Sequence, residues 1–262
     1  RLHQQTNNLG LYIQIQKNRL FVVRQLIYSS LSLIISDINV IAHFYKASFN
    51  SIMLAFLGGL LITIVAAVIC FTQRLFGGPL NFLINFAKIG YASPGIVIAI
   101  GVITTVIYLD KKIIQLLKII NIDNVGLIIS SSFFILLFAY LIRFLAVAFN
   151  PIEAAYQKVN KKIDFAAINL GAKSSILFFK IHIPMLYSSF IIAFLFVFID
   201  ILKELPATLI LRPFNFNTLS ILTFEYASSE QLKMAAIPSL FIMFFAIFPL
   251  VLIHFIFKVK KI

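Results

Sequence analysis

The long uncharged apolar stretches of this chain constrain its fold more than any other feature. A helix needs about 20 mostly apolar residues to cross a bilayer, where all of its backbone polar groups must be satisfied internally. Four charge-free stretches are long enough to form a span or most of one: Ser48 to Thr72, Ile89 to Leu109, Val125 to Ile142 and Ile183 to Ile199. A fifth, Met234 to Phe257, is interrupted by Pro238, Pro249 and His254. The sequence therefore predicts a bundle of membrane-spanning helices.

The composition favours one membrane domain without a sizeable soluble domain. Hydrophobic residues make up 61% of the chain and the mean hydropathy is +1.02, whereas soluble domains contain about 45–50% apolar residues. We predict an all-α integral membrane fold with a membrane domain over residues 47–262, and the length leaves room for five to six transmembrane helices. In the N-terminal segment 1–46, we interpret Leu20 to Tyr45 as a degenerate first span or an interfacial helix. The single Cys70 lies in an apolar run, which excludes disulfide and cysteine metal sites within the chain.

The formal charge of +13 follows from membrane topology and does not indicate nucleic acid binding. Lysines lie in short connections between apolar stretches, as the positive-inside rule expects. Residues 151–184 carry five lysines against Glu153 and Asp164, and three more lysines lie within 258–261. We expect both regions in the cytoplasm, and the charge-balanced connection from Pro206 to Lys233 on the other side of the membrane.

The segment from Asp164 to Pro184 is too polar to span a membrane and too apolar to be a solvated loop. Small and apolar residues recur at helical spacing up to Leu170, Gly171 permits a turn, and a second amphipathic stretch runs to Pro184. The pattern predicts a short helix, a turn and a second helix whose apolar face enters a groove on another protein.

This segment resembles the coupling loop of binding-protein-dependent ABC importer permeases. Their pattern is Glu-Ala-Ala, three residues, Gly, nine residues and Ile-x-Leu-Pro, and its spacing is kept here. The matching residues are Ala166, Ala167, Gly171, Ile181 and Pro184, with Ile183 in place of leucine. The departure from the family is Phe165 where it has glutamate, with Asp164 just before. The resemblance implies a type I ABC importer (MetI-like) fold with a coupling loop over 151–184. It implies that the contacts to the ATPase are made by these residues: Asp164, Phe165, Ala166, Ala167, Leu170, Gly171, Ile181 and Pro184.

Two neighbouring patterns do not carry this function. Glu153-Ala154-Ala155 repeats the motif's letters, but Val159 stands where its glycine should fall. Gly171 to Ser174 lacks the spacing and the preceding strand of a phosphate-binding loop. We therefore expect a transport subunit that is not an enzyme and binds no cofactor. The resemblance implies that ATP and magnesium bind to a separate ABC ATPase subunit, that a periplasmic substrate-binding protein is a partner, and that the chain is multi-pass in the bacterial inner membrane.

Three further stretches resemble the second half of ferric-iron permeases. They are Gly90 to Gly95, Arg143 to Asn150 and Asp200 to Pro213. Those permeases consist of two tandem repeats, and one repeat, roughly from Ser48 onward, is present here. The resemblance therefore implies ferric iron as the substrate and a second permease half as a partner, either a separate chain or a second copy.

A charged cluster at the end of the fourth span is a candidate part of the pathway. Asp200 and Glu204 lie one helical turn apart, and Lys203 can pair with Asp200. Ionisable groups at membrane depth cost ~2.5–3.5 kcal/mol on insertion scales and therefore point to function. The alternative is an internally paired cluster that anchors the helix end.

A helix-breaking group at the start of the second span is the other candidate. Gly90, Pro94 and Gly95 would either break this span, as in many transport pathways, or let it pack closely against a neighbour. The sequence shows no metal-ligand spacing around His182 or His254, and we predict no metal site.

Three other functions stay open on the sequence alone. A permease for thiamine, sulfate or a polyamine would share the coupling loop. An integral membrane enzyme acting on lipid precursors would need clustered Asp or His residues at nucleophile or metal-ligand spacing, and none are found. An inactive remnant of a two-repeat permease would be consistent with Phe165 and with a single repeat.

Overall fold

A computed structural model describes residues 38–77, 88–119 and 132–259, with positions 24, 82, 84–85, 126–127 and 129–130. These residues form helices and connections, and no strand occurs among them. The helices are α1 Ile38–Phe76, α2 Gly95–Ile119, α3 Phe133–Lys158, α4 Lys162–Asn169, α5 Ser174–Leu202, α6 Pro206–Leu211, α7 Leu219–Ser228 and α8 Leu232–Val259. A 3-10 turn, Ile89–Ala92, precedes α2, and a π-helical turn, Leu177–His182, lies within α5.

Four of the described helices are long and apolar enough to cross a membrane. They are α1, α3, α5 and the part of α8 up to Val251. The predicted all-α, multi-pass membrane fold is confirmed. The region predicted as a degenerate first span is described only from Ile38, where it is already part of α1; the rest of it lies outside the described residues.

The second predicted span differs from its prediction. Its first residues form the 3-10 turn, and Ser93 and Pro94 are not helical. Helix α2 begins at Gly95 and continues past Leu109 to Ile119. Helix α2 does not belong to the four helices that are apolar enough to cross a membrane, because Asp110 and the two lysines after it interrupt its apolar sequence. Asp110 is fully buried and accepts hydrogen bonds from the backbone N–H groups of Ile129 and Ser130 at 2.9 and 2.8 Å. A buried carboxylate with such donors can be held within a mostly apolar helix.

The chain divides into two compact units. The first comprises Arg1–Asn50 and Asn217–Phe245, and the second comprises Ser51–Phe216 and Ala246–Ile262. In the first unit, Ala47 of α1 packs with Leu219 and Leu222 of α7. The Thr218 hydroxyl accepts from the backbone N–H of Ile221 at 3.5 Å, which caps α7 at its N-terminus.

The second unit contains the predicted functional residues. In it α3 packs along α5, and α2 packs against α6 and α3. Two adjacent glycines of α1 allow α5 to come close: a Cβ on Gly58 would lie 2.7 Å from Ile201 Cδ1, and one on Gly59 would lie 3.1 Å from the Phe194 ring. Small residues at helix contacts matter in a membrane because close packing, and not exclusion of water, drives association there.

Candidate functional site

Residues 162–184 form the predicted helix, turn and helix. Helix α4 ends in a Schellman motif, in which Gly171 N–H donates to Ile168 C=O at 2.9 Å and Ala172 N–H to Ala167 C=O at 3.0 Å. Gly171 has φ +84°, and an added Cβ there would meet no atom within 4 Å. An L-residue in this left-handed conformation costs about 1–2 kcal/mol. Gly171 is therefore required by the backbone of the turn, and the space beside it is open.

An apolar face covers the outer side of this segment. Phe165 is 63% exposed, Leu170 89% and Phe179 64%, and Ile168 and Ile176 are exposed as well. We call these five side chains the apolar face. On the opposite side, Ala167 and Leu177 are buried. An apolar surface of this kind indicates contact with another protein or with lipid.

Asp164, in the first turn of α4, points into the bundle. Arg74 Nε donates to Asp164 Oδ2 at 2.6 Å, and these side chains are only 6% and 9% exposed. The Arg74 guanidinium also donates to the backbone carbonyls of Tyr156 and Val159 at 2.8 and 3.1 Å. It thus neutralises the carboxylate and the C-terminal end of α3, where a cation is favoured. His182 Nε2, fully buried on α5, lies 3.2 Å from Asp164 Oδ1. These contacts tie α4 to α1, α3 and α5.

Glu153, in the stretch that only repeats the motif's letters, is also engaged within the chain. Its carboxylate accepts from Lys88 Nζ at 2.8 Å and from Gln73 Nε2 at 3.4 Å. Lys88 Nζ lies 4.3 Å from the centre of the Phe149 ring. This carboxylate therefore connects α3 to α1 and to the residue before the 3-10 turn.

The charged residues at the end of α5 form two separate ion pairs. Lys203 Nζ lies 2.7 Å from Asp200 Oδ1, so the predicted pairing of these residues is present, with the lysine side chain 62% exposed. Glu204 lies beyond the end of α5, is 7% exposed, and faces Arg143 of α3 with 3.1 Å between Oε2 and Nε. Its Oε1 accepts from the backbone N–H of Ala207 at 3.2 Å. The two carboxylates therefore occupy different surroundings.

The break before α2 contacts the same ion pair. Arg143 Nη1 donates to Ser93 C=O at 3.0 Å, and a Cβ on Gly95 would lie 2.6 Å from Glu204 Oε1. A Cβ on Gly90 would lie 2.1 Å from Ile142 O, in direct conflict with the backbone of α3. The structure thus brings Gly90, Pro94, Gly95 and Glu204 together around α3, while their role in a pathway stays a prediction.

Sequence reasoning missed Arg74, Arg143 and His182. Arg143 and His182 lie inside long helices that are mostly apolar, and such residues need an acidic partner at membrane depth. Arg74 lies in the last turn of α1 and gives no such signal. That signal was available for Arg143, because α3 continues for another fifteen residues, to Lys158, beyond it. Among the described residues, no group of three or more His, Cys, Asp or Glu side chains is placed to hold a metal ion.

The fold is similar to that of a chain in a solved bacterial ABC transporter. That chain is from the crystal structure of a bacterial ABC transporter involved in the import of the acidic polysaccharide alginate. The two structures superpose over 98% of this chain and 96% of that chain, with a TM-score of 0.57 and 13% sequence identity. At this identity the likeness establishes the fold alone.

In sequence, the chain is similar to the Fe(3+)-transport system permease protein FbpB 2 of Haemophilus influenzae. The two are 25% identical over 213 residues, which is 81% of this chain and 39% of the relative. The chain thus spans about two fifths of the length of that curated relative. No family model matches the chain. The resemblance to ABC importer permeases that the sequence indicated is confirmed.

Proposed function

We propose that this chain is a membrane-spanning permease subunit of an ATP-binding-cassette importer. The observation that carries the proposal is the turn at Gly171, which presents an exposed apolar face between two helices able to span a membrane, α3 and α5. In this proposal the segment 162–184 is the coupling segment. It docks on a separate ATPase subunit that binds ATP and magnesium, and this chain performs no hydrolysis.

Ferric iron is the substrate that we propose. The support is the similarity to an Fe(3+)-transport permease over 81% of the chain. The chain would form half of the translocation pathway in a bacterial inner membrane, with a second permease half and a periplasmic substrate-binding protein as partners. Ferric iron prefers oxygen ligands, so Asp200 is the side chain that could contact the passing ion. Transport requires such contacts to be weak.

The coupling segment would act through the helices to which it is tied. Asp164 is bound to Arg74 at 2.6 Å, so a displacement of α4 would be passed to α1. Helix α5 leads from the turn, through the π-helical turn Leu177–His182, into the membrane-spanning part. Hydrolysis on the ATPase would thereby change the spacing of the spans and alternate the access to the pathway.

The Gly171→Leu variant tests this function. The space around Gly171 is empty, so the new side chain costs this chain only the backbone strain of about 1–2 kcal/mol, while it obstructs a docked partner. We expect membrane insertion to continue, and both uptake of radioactive iron and stimulation of the ATPase to be lost.

Gly77→Leu is the matched control. Gly77 also follows a helix end with a positive φ, +55°, and also has no atom within 4 Å of an added Cβ, but it lies outside the coupling segment. This variant should transport iron at the native rate. Native uptake by Gly171→Leu would contradict the proposed coupling. Uptake of thiamine, sulfate or spermidine in place of iron would contradict the proposal that ferric iron is the substrate. It would not affect the proposed coupling to the ATPase.

A further inference from the structure

In the region 151–184 the acidic groups are paired within the chain, with Asp164 buried and Glu153 26% exposed, and the lysines lie on the surface. Its two carboxylates, Glu153 and Asp164, are both paired with cations of this chain. Its lysines are all exposed, and none forms an ion pair with another part of the chain that the structure describes: Lys158, Lys161, Lys162, Lys173 and Lys180. The outer surface around the turn is therefore apolar at its centre and entirely basic at its edge.

We propose that this segment is received by an apolar groove with an acidic rim on the ATPase subunit, and that Phe165 enters the groove where related permeases present a glutamate. The inference rests on the proposed function and concerns the chemistry of that partner's surface. A groove that binds a glutamate would carry a cation at this position. That cation would face the apolar side chain of Phe165 and would be repelled by the lysines.

Asp164 cannot take over the role of the missing glutamate. To reach a partner it would have to leave Arg74, whose side chain is 6% exposed, and the arginine would then remain buried without its counter-ion. Removing one partner from a buried ion pair is strongly unfavourable. His182, which is fully buried, would lose its acidic neighbour as well. The carboxylate is therefore committed to holding α4 on the bundle.

The apolar face has the properties of a binding centre. Phe165 and Phe179 are large and more than 60% exposed, and buried aromatic anchors dominate the energy of protein interfaces. Charges at the rim mainly set the choice of partner and the rate of association. The number of lysines follows from the positive-inside rule in any case. What distinguishes this surface is that Asp164 is buried and that both carboxylates are paired with cations of this chain, so that neither presents an unpaired negative charge to a partner.

A protein groove accounts for this surface better than a lipid surface does. Helices that lie in a membrane interface present one long apolar stripe along their axis. Helix α4 has only eight residues, and the apolar face is assembled from α4, the turn and the start of α5. Leu170, at 89% the most exposed of these side chains, lies in the turn itself. The face is therefore a compact projection and not a flat stripe.

Variants of the full chain in nanodiscs test the inference, with binding measured to the purified ATPase subunit of the same importer. Phe165→Ala should weaken binding several-fold, and Phe165→Glu should weaken it further, by about tenfold or more. A groove that reads an acid would reverse this order, with Phe165→Glu binding more tightly than Phe165→Ala, and that result would overturn the inference.

Charge reversal tests the rim. The triple variant Lys162→Glu, Lys173→Glu, Lys180→Glu should bind about tenfold more weakly, and added salt should narrow the difference because rim charges are screened. The matched control reverses three exposed lysines of α2, Lys111, Lys112 and Lys118, and should bind like the native chain. Equal binding by both triple variants would overturn the acidic rim. Failure of the native chain to bind the ATPase would instead overturn the proposed function, and the inference with it.

A labelled variant decides between protein and lipid. The native Cys70 is buried, so a fluorophore on Leu170→Cys reports from the turn alone. In vesicles of anionic phosphatidylglycerol without the ATPase, quenchers placed within the bilayer should leave this fluorophore unaffected, and addition of the ATPase should shift its emission. Quenching from within the bilayer would assign the apolar face to lipid and overturn the inference.

Discussion

Neutralising Glu204 should destabilise the protein far more than neutralising Asp200, although the two carboxylates are close in sequence. Glu204 is 7% exposed and is held by Arg143 and by the backbone N–H of Ala207. Asp200 pairs with Lys203, a lysine that is 62% exposed and three positions away on the chain. The informative variants are therefore Glu204→Gln and Asp200→Asn, which remove the charge and keep the size of each side chain.

The expected magnitudes follow from burial. Removing one partner of a fully buried ion pair costs about 3–5 kcal/mol. Because Arg143 is 18% exposed and glutamine can still accept from Ala207, we expect about 2–3 kcal/mol for Glu204→Gln. Asp200 is itself only 13% exposed, but the ammonium group of its partner Lys203 stays in water, so the pair is worth about 0.5 kcal/mol and we expect a loss of that size for Asp200→Asn. The difference corresponds to more than tenfold in the ratio of folded to unfolded protein.

Thermal stability in detergent measures this difference. Each variant is heated, and the folded fraction is read by fluorescence-detected size-exclusion chromatography. Glu204→Gln should lose its folded peak at a clearly lower temperature than Asp200→Asn, and adding Arg143→Gln should recover part of the loss because no uncompensated charge remains. Melting of Glu204→Gln together with the native chain, or additive losses in the double variant, would refute the reasoning from burial.

Two further substitutions follow from close contacts. Gly90→Ala should strongly reduce the yield of folded protein in a membrane fraction, since its Cβ would lie 2.1 Å from Ile142 O, whereas Gly101→Ala, with open space around it, should not; equal yields would contradict the close approach. Asp164→Asn should leave the Arg74 cation without its counter-charge and loosen α4. Limited proteolysis should then cut within 162–173 faster than in the native chain, and an unchanged cleavage rate would show that other contacts hold the segment.

The parts of the fold that sequence predicted are those set by local chemistry. Charge-free runs predict α1, α5 and α8 because lipid admits long apolar helices without further conditions. The run Val125 to Ile142 overlaps α3 only from Phe133 onward, because α3 begins there and continues past Arg143 to Lys158. The turn at Gly171 is local as well, since a Schellman motif requires a residue that tolerates φ near +84°. The predicted helix, turn and helix over 162–184 could therefore be placed correctly without knowledge of any neighbour.

The parts that sequence missed depend on residues distant along the chain. Asp200 and Glu204 were expected on one helix face, but α5 ends at Leu202 and the chain then turns Glu204 toward Arg143. Asp164 was expected at the partner surface, and Arg74 of α1 holds it inside. The spacing of residues along the sequence cannot predict these ion pairs, because the packing of the helices determines which cation lies beside each carboxylate.

Helix α5 connects the two groups of functional candidates. It runs for 29 residues, about 43 Å at 1.5 Å per residue, from the turn after Gly171 to Leu202. Near its first end, His182 contacts Asp164, and two residues beyond its other end Glu204 contacts Arg143 and the break before Gly95. The π-helical turn Leu177–His182 lies near the first end of this helix, and the α-helical part from Ile183 to Leu202 leads from it to the residues beside Glu204. An added Cβ at Gly95 would lie 2.6 Å from Glu204 Oε1, so only a glycine at the start of α2 lets this carboxylate approach. The contact between Glu204 and the start of α2 is therefore the place where a movement of α5 would reach α2.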